Sequence, residues 1–211
     1  ATHPALLEAL AKHFVEQKFD LKQLIRTITA SRTYQLSTQP NATNERDDQN
    51  YSRALFKRLD AEVLLDAVCQ VTGVEEKFAG VPAGYRAIQL WDSQVNHYFL
   101  RLFGRPTRNT ACECERASEP TVAQVLHVLN SPEIQSKLSH AGGRLAQLSQ
   151  QHRDDGHLVD ELYLTFYSRF PTPAECTTAT TYLKKQAENR SPAVEDLAWS
   201  LMNTAEFLFN R

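Results

Sequence analysis

The chain has 211 residues, 42% of them hydrophobic, with 23 basic and 25 acidic side chains giving a formal net charge of -2. That length and apolar content are enough for a buried core in one large domain or two small helical lobes. A near-neutral balance with no long basic run takes nucleic acid and anionic membrane surfaces off the list of expected partners.

No apolar run approaches the ~20 residues of a membrane-spanning helix, and the opening ATHPALLEAL lacks the basic start and cleavage site of a signal peptide. The expectation is a mainly α, multi-helix, bundle-like domain over residues 1–211 with an irregular central segment. In chain order, Leu6, Leu7, Leu10, Ala11 and Phe14 form one helical stripe, and Leu21, Leu24, Ile25 and Ile28 form a second. Asp20 and Gln23 are spaced as a capping box ahead of the second helix. The polar run QPNATNERDDQN, from 39 to 50, predicts a solvated loop that separates this helical pair from the rest and contains the sequon Asn41-Ala42-Thr43. Val63, Leu64, Ala67, Val68 and Val71 predict a helix stopped by Gly73, with Asp60 capping a restart inside a longer segment that includes Leu55 and Leu59.

From 78 to 117 the periodicity fails. Gly80, Pro82, Gly84, Gly104 and Pro106 punctuate Tyr85, Trp91, Tyr98, Phe99 and Phe103, which predicts irregular chain with short strands. Helical spacing returns at Pro120, with Val122, Val125, Leu126 and Leu129 on one face and Ser118 or Glu119 at the cap. Ser131-Pro132 opens a helix running to Gly142-Gly143, and Leu158, Leu162, Tyr163 and Phe166 mark another after Gly156. Thr172-Pro173-Ala174-Glu175 is a complete capping box. Ser191-Pro192 opens the last helix, in which Val194, Leu197, Ala198, Leu201 and Met202 face inward and Trp199 sits on the flank.

The densest chemistry lies in FGRPTRNTACECERASEPT, where two thiols, three carboxylates, Arg105, Arg108 and Arg116 precede a helix. A helix N-terminus and an arginine favour thiolate, whereas Glu113 and Glu115 oppose it. The candidate catalytic residues are Cys112, Cys114, Glu115, Arg116 and Glu119; the candidate binding residues are Arg105, Arg108, Trp91 and Tyr98. A Cys-x-Cys pair supplies two ligands where structural zinc takes four, and His127 joins only if its helix folds back, so no metal is assigned. A loop held by arginine–carboxylate pairs ranks first, ahead of a disulfide or redox pair and of a metal site. Cys69 and Cys176 read as core residues, and His13 and His97 as surface or satisfied interior groups. A local ion pair one helical turn apart accounts for Arg58 and Glu62. For Trp91, Tyr98 and Phe99, plugging the core ranks ahead of a stacking platform for a sugar or a partner.

The ordered segments THPALLEALA, SRTYQLS, RLDAEVLLDA, FGRPTRNTACECER, EPTVAQVLHVLNSPEI, LYLTFYSRFPTPAE and DLAWSLMNTAEFLFNR resemble, almost end to end, the C-terminal domain of unknown function (family number 1553) of planctomycete cytochrome c domain-containing proteins. The resemblance implies a large exported bacterial protein, an extracytoplasmic location and a neighbouring c-type cytochrome. Lectin-like modules in some relatives imply polysaccharide. This chain has no Cys-x-x-Cys-His attachment site, so it is expected to carry no cofactor itself, with c-type haem in a partner module. It starts at a motif internal to the domain in relatives, which implies a fragment of a larger multidomain protein. An extracytoplasmic setting also favours a disulfide in the loop. The expected role is a helical docking or structural module that binds other domains of the same or a companion polypeptide. The alternative is part of a redox enzyme acting on carbohydrate, with the Cys112–Glu119 loop at its site.

Overall fold

The computed structural model of the chain describes residues 3–91, 95–106 and 121–210. The backbone divides into two compact units, residues 1–57 and 58–210, and the division falls just past the polar run at 39–50.

In the first unit, α1 (Pro4–Glu16) starts on a proline whose missing N–H has no helical partner to lose. Lys18 and Phe19, both left-handed at φ 52° and 62°, break the chain before α2 (Leu21–Thr29). Asp20 caps α2 by accepting the Gln23 N–H at 3.0 Å, and His13 lies 3.1 Å from the Thr27 hydroxyl, linking the two helices. Both apolar stripes form helices as their spacing predicts, yet no residue of either helix is buried, and Leu7 is 61% and Ile25 51% exposed. The run from 39 to 50 is turns and bends. Asn41 Oδ1 accepts the N–H groups of Thr43 and Asn44 and the Thr43 hydroxyl, and the Asp47 carboxylate accepts from the Ser52 hydroxyl and the N–H groups of Gln49 and Asn50. These local bonds give the backbone an alternative to helix.

The second unit is built on α3 (Ala61–Thr72), which follows Asp60 at the N-cap position and buries Ala61, Leu64, Leu65, Val68 and Val71. The longer segment expected to reach back to Leu55 does not form. A two-residue strand β1 (Lys57–Arg58) pairs instead with β2 (Phe209–Asn210), and the Leu59 N–H donates to the Leu208 carbonyl at 3.1 Å. Arg58 therefore stands before the helix rather than within it. Gly73 ends α3 at φ 68°. A Cβ there would meet the Arg144 nitrogen at 2.9 Å, and one at Gly143 would meet the Thr72 carbonyl at 2.9 Å, so two backbones cross through a pair of glycines.

Among the described residues of 78–106 there is no strand, against expectation. A 3-10 turn at Ala87–Gln89 hangs on α3 through the Asp66 carboxylate, which accepts the Ala87 N–H at 2.6 Å and the Ile88 N–H at 3.2 Å. The short α4 (Tyr98–Leu102) then buries Phe99 and Leu100, with Phe99 stacked on Phe103 at 4.3 Å. Next, α5 (Val122–Asn130) is capped by Thr121 with Gln124, one turn later than Ser118 or Glu119 would place it. Its face is also rotated from the predicted one. Gln124 and Val128 are buried while Val122 and Val125 are exposed, because the Gln124 amide both caps Thr121 and donates to the Leu102 carbonyl at 2.9 Å.

Ser131 caps α6 (Pro132–Leu138), which stops short of Gly142-Gly143. Those glycines instead lead into α7 (Arg144–Gln151), a helix the spacing did not suggest, whose Leu145 and Leu148 are buried. Asp154 caps α8 (Asp155–Tyr167), and α9 (Pro173–Lys185), α10 (Arg190–Met202) and α11 (Ala205–Leu208) complete the unit. Leu158, Val159 and Leu162 of α8 are buried at its centre, and α7, α9, α10 and α11 all pack on this helix. No described helix is long and apolar enough to cross a membrane.

Leu158→Ala is expected to lower stability by about 3 kcal/mol, as a cavity at a fully buried leucine does. Leu7→Ala should change it by less than about 0.5 kcal/mol. Urea unfolding measures both, and equal effects would contradict this division between core and surface.

Candidate functional site

Three helix ends are fixed by one guanidinium. Ser168, left-handed at φ 56°, terminates α8 and turns the chain so that Arg169 follows it. Arg169 donates from Nη1 and Nη2 to both oxygens of Glu175 at 2.9 Å, and from Nε and Nη2 to both oxygens of Glu206 at 2.8 Å. Its plane also lies over Tyr163 and Tyr167, 5.4 and 5.3 Å from their ring centroids. Glu175 has a second role, since its carboxylate accepts the Thr172 N–H at 2.7 Å and closes the capping box that begins α9. The Tyr167 hydroxyl donates to the Leu201 carbonyl at 3.0 Å and lies 2.8 Å from the Thr204 hydroxyl, and burial pushes this phenol up to about 12.

The frame holds open a cleft of about 680 Å³ between α8, α9 and α10, within the range of roughly 300–1,000 Å³ typical of ligand pockets. Val159, Leu162 and Leu201 are buried beneath it, α9 contributes Ala179 and Tyr182, and α10 contributes Asp196 and Trp199. The Tyr182 hydroxyl donates to Asp196 Oδ2 at 2.6 Å, a bond that raises the pKa of the phenol. Trp199 Nε1–H donates to the Leu129 carbonyl at 3.2 Å, which uses the indole's polar atom and leaves its ring as wall. Among the described residues, no lysine or arginine lines the cleft. Hydrogen bonds from Arg169 hold the Glu175 carboxyl down to about 2, and Tyr182 is shifted upward.

Of the residues expected from sequence, the described ones, Arg105, Trp91 and Tyr98, do not line this cleft. Cys112, Cys114, Glu115, Arg116 and Glu119, with Arg108, lie outside the described residues. Arg105 is a structural tie: its Nε is 3.3 Å from Glu62 Oε1 with both side chains under a tenth exposed, and its Nη2 donates to the Leu90 carbonyl at 3.3 Å. Of the three aromatics, Phe99 plugs the core, whereas Trp91, edge-on to Tyr85 at 5.7 Å, is 66% exposed and Tyr98, tilted on His127 at 5.3 Å, is 54% exposed. The last two are surface residues that the plug reading misplaced. Burial lowers the pKa of His127. Cys69 and Cys176 are half-buried free thiols, and burial pushes Cys69 upward. His97 Nε2 lies 3.6 Å from Glu76, whose other oxygen is 3.2 Å from Lys137 Nζ. Burial acts to raise the Glu76 carboxyl, but bonds from His97 and Lys137 outweigh it and bring the group to about 2. Sequence reading passed over Tyr182 and Asp196 because they are 14 residues apart and nothing in either helix marks them as a pair.

Two predictions follow from these charges. Glu76 and Glu175 sit below the ordinary carboxyl value of 4.5, so their stabilisation is complete above it and is lost as pH falls from there toward about 2. The urea midpoint should drop through that window in the native chain and drop less in the Glu76→Gln, Glu175→Gln double variant; parallel profiles would contradict it. Arg105→Ala should cost about 3 kcal/mol by removing one member of a buried ion pair, and a midpoint within error of the native chain would show the pair to be dispensable.

No curated protein and no solved structure matches the chain. A family model matches residues 1–183, from the start of the chain into α9, and leaves the part of the cleft built by α10 beyond its limit. The chain therefore belongs to the PSD1 family, described as a protein of unknown function (DUF1553).

Proposed function

We propose that the chain is a helical docking module, and that the α8–α9–α10 cleft receives an apolar segment from another domain of the same or a companion polypeptide. The observation that carries this reading is the state of the cleft's polar atoms. Glu175 is bound by Arg169, Trp199 Nε1 by Leu129 and the Tyr182 hydroxyl by Asp196, so most of the open surface is ring and aliphatic wall, with the Asp196 carboxylate at its exposed rim. Such a wall gains free energy on being covered, at about 25 cal/mol per Å² of apolar area removed from water. The exposed leucines and isoleucines of α1 and α2 add a second apolar surface of the same kind. The family resemblance supports a c-type cytochrome module as partner, polysaccharide as a further ligand of the assembly, and an extracytoplasmic setting. Catalysis in this reading belongs to the partners.

A photo-crosslinking residue placed at Thr178, on the exposed rim of the cleft, tests the reading in the polypeptide that natively carries the chain. The expected product is a cross-link that mass spectrometry maps to one segment of the same or a companion polypeptide. It should disappear when Ser200→Trp fills the cleft. Turnover of a glycan or a redox dye by the isolated chain, with no such cross-link, would overturn the proposal.

A further inference from the structure

We infer that the segment entering the cleft presents a lysine or arginine side chain, seated at Asp196 against the rings of Tyr182 and Trp199. The inference rests on the docking reading and adds the chemistry of the occupant.

Asp196 is exposed at the cleft, and no basic residue is among the described residues lining it. The nearby cation, Arg169, is engaged by the carboxylates of Glu175 and Glu206. An apolar segment laid over the cleft would strip water from Asp196 and leave the Tyr182 hydroxyl as its partner at 2.6 Å. Desolvating a carboxylate with one neutral donor is costly, and an acidic occupant would add repulsion. A guanidinium or ammonium removes the cost, because it completes the ion pair where water leaves.

Tyr182 and Trp199 line the cleft, and the Trp199 N–H is already used, so an occupant meets their rings. Cations bind such faces, and the long stems of lysine and arginine pack along aliphatic wall such as Ala179 and Leu197. The molecule already contains an instance of this recognition, with the Arg169 guanidinium 5.4 Å from the Tyr163 centroid and clamped by carboxylates. Tyr182, Trp199 and Asp196 repeat the combination of ring and carboxylate in the cleft, and no cation is among the described residues that line it.

The test uses the full chain, isotopically labelled, titrated to millimolar concentration with the peptides Ac-Leu-Arg-Leu-NH2, Ac-Leu-Gln-Leu-NH2 and Ac-Leu-Glu-Leu-NH2. The reporter is the Trp199 indole N–H, assigned against the chain's other tryptophan by Trp91→Phe. The arginine peptide should shift that signal saturably, the glutamine peptide at least about tenfold more weakly, and the glutamate peptide not at all. In Asp196→Asn, whose position is exposed, the arginine and glutamine peptides should become equal. Equal binding of those two peptides by the native chain overturns the cation inference and leaves the docking reading standing. Failure of all three peptides to perturb Trp199 overturns both.

Discussion

A guanidinium held by two carboxylates and two aromatic faces does not behave like a lone surface ion pair. Exposed lysine or arginine pairs contribute ~0–1 kcal/mol because two long side chains are ordered for one weak contact. Arg169 spreads that entropy over four charge-assisted bonds and two rings, and its carboxylates are themselves fixed, one by the α9 capping box and one at the start of α11. The end of α8, the beginning of α9 and the position of α11 are therefore set by one side chain. The cleft exists because those three ends are held apart at fixed distances while Leu158, Val159 and Leu162 anchor the middle of α8 in the core.

Where sequence and structure agree, the information was local. The Thr172–Glu175 box, the Ser131 cap before Pro132 and the left-handed Gly73 each depend on neighbours within one turn, and each stands where its residues put it. The disagreements are tertiary. Gln124 holds α5 with its amide side inward because a carbonyl of α4 accepts from it, so the valine stripe that spacing alone would bury faces out. α3 is cut short because the residues before Asp60 join a strand whose partner is about 150 residues away, a pairing no window of sequence contains. α7 carries two buried leucines among polar residues, too few to declare a period.

The site was legible only in part for the same reason. LYLTFYSRFPTPAE shows its capping box plainly, but the reach of Arg169 to Glu206, 37 residues on, is a fact of packing. Tyr182 and Asp196 meet only when α9 and α10 are side by side. Unusual composition drew attention to cysteines and arginines in the sequence before α5, whereas the cleft is lined by residue types so ordinary in helices that none stands out.

The crossing of Gly73 and Gly143 constrains how this sequence can drift. A side chain at either position would strike main chain, Arg144 N in one direction and Thr72 O in the other. Shrinking a neighbouring side chain cannot relieve a clash with backbone, so no second substitution elsewhere compensates for the loss of either glycine. Most core contacts can be exchanged in pairs over evolutionary time, a larger residue answered by a smaller one. This contact has no such currency, and descendants of the chain must keep both glycines or give up the α3–α7 crossing itself.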